Sequence, residues 1–169
     1  AAVRSTGGSG YSFEDSCAGF FMLDLLASRQ VLGIDFGVVS RIDFQVQESG
    51  WLFDDLLLTA SGATGDRRVA VSVKSSGQVT SNGFPTDFVS AAWRQWHGTI
   101  GCPFRRDHDL LMLIVGEVAN AVKNAWDQFS SEASQADPIR VATRFSTVGQ
   151  SSELARNLFA SLRCPSDLH

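Results

Sequence analysis

Two features of the stretch 54–76, "DDLLLTASGATGDRRVAVSVKSS", combine residue types and spacing that could do chemistry. An acidic pair, Asp54 and Asp55, opens one apolar run, and Lys74 stands almost at the end of the next. Val69, Val71 and Val73 alternate with Ala70, Ser72 and Lys74, so at the two-residue period of a strand Ser72 and Lys74 share a face. If the two runs pair antiparallel, the start of the first lies beside the end of the second. A carboxylate with the main-chain carbonyl of Val73 then forms a hard-oxygen site suited to Mg²⁺ or Mn²⁺. The Lys74 ammonium could orient or deprotonate a water there, and Glu14 could add a second carboxylate. Phosphodiester hydrolysis needs such a set: a water activated near neutral pH and positive charge against the developing phosphorane. Successive strand residues face opposite ways, so one aspartate of the pair reaches the site, and Asp55 is the favoured one. Glu48 is a further candidate ligand. The plain alternative is a pair of solvated strand ends, with Glu14 compensating a helix dipole.

The elements that must position these residues follow from periodicity and punctuation. "SFEDSCAGFFMLDLLASRQ" predicts a helix with Ser12 as N-cap and Asp15 three residues on, facing Phe13, Cys17, Phe20, Phe21 and Leu25 to a core. "GVVSRIDFQVQES" and "GWLFDDLLLTA" predict antiparallel strands joined by a short Ser-Gly turn; "SGATGD" is a loop and "RRVAVSVKSS" a third strand. "FPTDFVSAAWRQWHG" reads as a helix from near Pro85 to Gly98, and "HDLLMLIVG" as a strand covered on both faces. "EVANAVKNAWDQFSSEA" is a helix, "PIRVATRF" a last short strand and "SSELARNLFASLR" a last amphipathic helix. The sum is an α/β fold, a mixed sheet flanked by helices on both faces, in one domain spanning residues 1–169.

Composition bounds the function. With 44% hydrophobic and 19% charged residues, the chain is an ordinary globular sequence, and its longest apolar runs are too short to span a bilayer. Three widely spaced cysteines without a CxxC read as reduced thiols in a cytoplasmic protein. His97, Cys102 and His108 match no trusted zinc spacing. The net charge is −4, yet residues 62–106 hold six basic and two acidic side chains between acid-rich ends. That distribution suits a polyanion bound close to metal-binding carboxylates. "GGSG" lacks the lysine and hydroxyl residue of a P-loop, and no G-x-S-x-G, H-E-x-x-H or identifiable Ser-His-Asp set occurs.

In order along most of the chain, "GGSGYSFEDSCAGFFMLDLL", "QESGWLFDDLLLT", "VAVSVKSS", "FVSAAWRQW" and "RRDHDLLMLIVG" resemble the PD-(D/E)XK nuclease superfamily, the restriction-endonuclease-like fold. The likeness is greatest to its Mrr-like branch and to the double-strand DNA endonuclease domains at the N-termini of bacterial anti-phage proteins. The resemblance implies Asp55 as the metal-binding aspartate, Glu14 as the acid of the opening helix and Lys74 as the catalytic lysine. The position two before the lysine, commonly Glu, Asp or Gln, is Ser72 here, which shifts the metal toward Asp55, Glu14 or Glu48. The resemblance further implies Mg²⁺ (or Mn²⁺) as cofactor and double-stranded DNA as substrate, cut with little sequence preference. It also implies excision from a larger protein that forms a dimer or higher homo-oligomer. Arg67, Arg68 and Arg94, with Ser75, Gln78 and Asn82 in the loop after Lys74, are the candidate backbone contacts. Arg105 and Arg106 are further phosphate-contact candidates. A nuclease-fold module without catalysis, serving DNA binding or oligomerisation, is the alternative that Ser72 favours.

Overall fold

The computed structural model describes residues 9–30, 36–53, 55–63, 65–75, 78–98, 102–135 and 137–168, with the side chains of residues 9–12 and 167 outside that description. The first helix, α1 (Ser9–Leu26), begins upstream of the expected Ser12 cap, so Ser12 and Asp15 lie within it and Glu14 falls beyond its first turn. Once a helix is nucleated each added residue costs little, and the cap-like spacing is no barrier to that extension. Phe13, Cys17, Ala18 and Phe21 pack into the core, whereas Phe20, expected inside, is exposed together with Met22, Leu23 and Leu26. The helix closes when Ser28 adopts a left-handed conformation (φ 53°), the Arg29 N–H bonding to the Asp24 carbonyl and the Ser28 N–H to that of Leu25.

Strands β1 (Val38–Phe44), β2 (Leu56–Gly62), β3 (Gly65–Lys74) and β4 (Leu110–Val115) form one sheet in the order β1-β2-β3-β4. The β1/β2 and β2/β3 pairs are antiparallel, within a mixed sheet. With five α-helices among the described residues, the architecture is α/β. Leu56, Leu58 and Ala60 share a face with Val69, Val71 and Val73, and α1 buries Phe21 against that face. Gly37 (φ 100°) is required by close approach: a Cβ there would stand 2.5 Å from the Ser61 carbonyl oxygen.

Two strand boundaries differ from expectation. β1 stops at Phe44 because Gln45 turns left-handed (φ 52°, ψ 52°) into a 3-10 turn at Val46–Ser49. Val46 is buried within that turn, so an apolar period continued past the strand's end. Conversely, the loop expected between β2 and β3 is tighter than its glycines suggest, since Gly62 pairs with Gly65 and only two residues close the hairpin.

The chain divides into two compact units, 1–75 with 91–114 and 76–90 with 115–169. The first carries the sheet's core and α1. Helix α2 (Thr86–His97) starts after Pro85 and stops at Gly98 (φ 52°), as its sequence dictates, and the unit boundary runs through it. The second unit holds α3 (Asn120–Ala133), α4 (Pro138–Ser146) and α5 (Glu153–Ser161) around edge-to-face rings, Phe129 lying 5.1 Å from Phe145 and Trp126 5.4 Å from Phe84. The segment "PIRVATRF", expected as a strand, is α4. Asp137 caps it by accepting from the Ile139 N–H (2.6 Å), and Pro138 sits in its first turn. Its period-two pattern was accidental: Phe145 is buried and Ile139 exposed, as one helix face against another demands. No helix among the described residues is long and apolar enough to cross a membrane.

Candidate functional site

The β2/β3 ladder opens with Leu56 opposite Val71, so Asp55 stands one step outside it, at the end of the sheet where β3 finishes. Its Oδ2 accepts the main-chain N–H of Val73 at 2.6 Å. The carboxylate thereby takes the place a strand carbonyl would have filled, a charge-assisted bond that holds the entry of β2 to the exit of β3. Ser72 and Val73 are buried, and Lys74, the last residue of β3, is half-buried. The acidic entry and the lysine exit are therefore neighbours, as the hairpin argument requires. Asp54 lies outside the described residues.

Of the other two carboxylates, Glu14 is exposed on α1 one turn before Cys17. The Cys17 thiol is pushed up by burial and, secondarily, by the Glu14 charge. Glu48 sits in the 3-10 turn after β1 and lines a cavity of about 390 Å³ with Arg41, Asp43, Leu57, Thr59 and Arg68. Among the described residues no three Asp, Glu, His or Cys side chains gather into a group able to hold a metal ion. Asp55, Glu14 and Glu48 are thus not a three-carboxylate cluster, and His97, Cys102 and His108 form no zinc group. The donors at the hairpin end still suit a hard cation: Asp55 keeps Oδ1, Val73 has a carbonyl, and Mg²⁺ commonly takes one or two carboxylates with waters completing its shell.

The basic candidates separate by surroundings. Arg68 is engaged inside the fold: it donates to Asp109 (2.7 Å) and to the Pro103 carbonyl, and its guanidinium lies 4.8 Å from the centre of the Trp51 ring. Arg67 lies over the Phe36 ring with its Nε buried and unsatisfied. Arg105 shares Asp109 with Arg68, and Arg106 donates to the Trp96 and His97 carbonyls. Arg94 projects from an exposed position of α2, and Ser75 is exposed just past Lys74. Gln78 and Asn82 are exposed in the other unit, where the Asn82 N–H donates to Thr80 Oγ1.

Two buried polar residues that sequence reasoning passed over organise the sheet unit, Gln95 near the entry to β2 and Asp109 at Arg68, toward the hairpin end of β3. Asp109, with no exposed side-chain surface, accepts from the Arg68 and Arg105 main-chain N–H groups and from both guanidiniums. Burial alone would raise its carboxyl, but the Arg68 and Arg105 hydrogen bonds and the Arg68 charge together hold it below its usual range. Its signal was present in Arg105, four residues before an acid that opens an apolar strand. Gln95, 1% exposed, had no such signal, being one polar residue among aromatics on α2. Its Oε1 accepts the Leu52 N–H at 2.6 Å and its Nε2 donates to Cys102 Sγ at 3.0 Å, tying down the stretch that leads into Asp55. Gln95→Leu is expected to cost about 1–3 kcal/mol by stranding the Leu52 amide. Urea denaturation checks this, and a shift below about 0.5 kcal/mol would mean that the amide finds another acceptor.

No family model, curated protein or solved structure matches the chain.

Proposed function

We propose that the chain is a metal-dependent DNA endonuclease module of the restriction-endonuclease-like class, with helices on both faces of its sheet. The observation that carries this reading is the bond between the Asp55 carboxylate and the Val73 amide, which sets an acid beside the strand end bearing Lys74. Asp55, with Glu14 or Glu48, would hold Mg²⁺ or Mn²⁺ together with the Val73 carbonyl. When bound, the ion supplies a Lewis acid and a water that ionises near neutral pH. The protein's own groups do the rest. Asp55 is held in place by its hydrogen bond, the Lys74 ammonium orients the attacking water and offsets charge building on the phosphate, and Ser72 leaves the site one carboxylate poorer. Arg67 and Arg94, with Ser75, would hold double-stranded DNA by its phosphates, and such contacts carry no sequence information; Gln78 and Asn82, in the other unit, are left out of this set. Arg68 leaves that set, since Asp109 and Pro103 occupy its donors. The module would serve in the cytoplasm as the effector of a larger bacterial anti-phage protein, activated when the remainder of that protein assembles copies.

A second reading, a nuclease-fold module that binds DNA or oligomerises without cutting it, is favoured by one feature. The Asp55 carboxylate is already used as a strand cap, with Ser72 rather than an acid beside it. Supercoiled plasmid incubated with wild type and Lys74→Ala in Mg²⁺, Mn²⁺ or EDTA separates the two. Metal-dependent nicking that Lys74→Ala lowers by about 10² or more supports the enzyme. DNA retained without nicking, even at high protein concentration in an enforced dimer, supports the second reading.

A further inference from the structure

Arg140 and Arg144 stand one turn apart on α4 and line a cavity of about 330 Å³ with Glu132, Gln135 and Val141, entirely within the second unit. At this spacing two side chains are neighbours, and like charges so placed weaken a helix. Arg140 also falls in the first turn of α4, where the macrodipole disfavours a cation and favours an anion. Arg144 is only partly satisfied: its Nη2 pairs with Glu132 Oε1 at 2.8 Å, while its Nε is buried with no acceptor among the described residues. Arg68, by contrast, has its donors taken by Asp109 and Pro103. An anion between the two guanidiniums offsets the repulsion and the dipole at once, and gives Arg144 a second acceptor to turn toward.

We infer that this cavity binds a small organic phosphate monoester. Two arginines against one glutamate leave its lining with a net positive charge. The guanidinium fork matches phosphate oxygens, and a dianionic phosphoryl group has oxygens enough for both forks. The volume lies at the lower end for sites that take small organic molecules, and inorganic phosphate would leave most of it empty. The phosphoryl group therefore sits between Arg140 and Arg144. The organic part lies along Val141 and Gln135, whose amide can serve hydroxyl groups. Glu132 limits the affinity, because its carboxylate repels the ligand while it holds Arg144. The inference does not rest on the nuclease reading, whose Asp55 and Lys74 belong to the first unit.

Isothermal titration calorimetry of the full chain with ribose 5-phosphate, adenosine 5′-monophosphate, inorganic phosphate and succinate tests it. At least one monoester is expected to bind one-to-one and at least about tenfold more tightly than inorganic phosphate, the organic part supplying the difference. Arg140→Glu should weaken that binding by about tenfold or more. Arg140 is exposed and an acid in the first turn suits a helix, so an unchanged circular dichroism spectrum separates lost binding from lost folding. Arg144→Lys keeps the charge, loses the fork and should bind several-fold more weakly, whereas Glu132→Gln should bind several-fold more tightly. The inference is overturned if neither monoester binds, if inorganic phosphate or succinate binds as tightly as both, or if Arg140→Glu leaves the affinity unchanged. Should neither monoester bind while duplex DNA loses affinity in Arg140→Glu, the two arginines contact nucleic acid instead.

Discussion

Asp55→Asn is expected to abolish metal-dependent plasmid cleavage, by about 10² or more, while leaving the fold nearly intact. The asparagine carbonyl can still accept the Val73 N–H that Oδ2 accepts at 2.6 Å in the native chain. Only the charge assistance is lost, worth about 1 kcal/mol. Asp55→Ala removes the acceptor as well, stranding the amide of a buried strand residue, and should cost about 1–3 kcal/mol in addition to activity. Comparing the two variants by urea denaturation and by nicking distinguishes a ligand from a cap. If Asp55→Asn keeps its activity, Asp55 does not hold the ion. If the two variants lose activity only in proportion to stability, the residue serves the sheet alone.

The largest stability effect is expected at Asp109. Replacing it with alanine leaves the Arg68 guanidinium, 24% exposed, without its main partner and frees the Arg105 amide, a loss of about 3–5 kcal/mol. The residue also makes the fold acid-sensitive. Its carboxyl is held below the ordinary carboxylate value in the folded state, whereas in the unfolded chain it returns to about 3.9. A lowered folded value means that the unfolded chain binds the proton first as pH falls. The contribution is therefore complete above about pH 4 and is lost as pH drops through the folded value. The gap between the urea midpoints of wild type and Asp109→Asn should stay constant above about pH 5 and narrow as the pH falls below about 4, and a gap that does not narrow there would refute the assignment.

These two residues mark where sequence reasoning succeeds and where it stops. Asp55 was legible because strands have an unambiguous period and a hairpin forces the start of one strand against the end of the next. The Pro85 and Gly98 boundaries of α2 were legible for the same local reason, a fixed φ at one end and a left-handed turn at the other. Asp109 and Gln95 were not, because their partners lie in distant segments: Arg68 is 41 residues from Asp109, and Leu52 is 43 from Gln95. Nothing local identifies a polar side chain as buried before its partner is known. The misread strand at residues 138–145 and the exposed Phe20 fail differently. In α4 a capped helix start outweighs alternation, and in α1 the composition is too apolar for periodicity to pick an inward face.

The two-residue closure at Gly62 and Gly65 bears on how the candidate site comes into being. Asp55 and Val73 are 18 residues apart in sequence, and the hairpin has already brought them together when its ladder zips to Leu56 and Val71. Almost no further loop entropy opposes their bond. Such hairpins form on the order of microseconds, whereas the Arg68–Asp109 link must await the arrival of β4 from a far more remote segment. The geometry joining the acid to the lysine-bearing strand end is therefore among the cheapest parts of this fold to assemble, whereas the Arg68–Asp109 link toward the hairpin end of β3 is among the dearest.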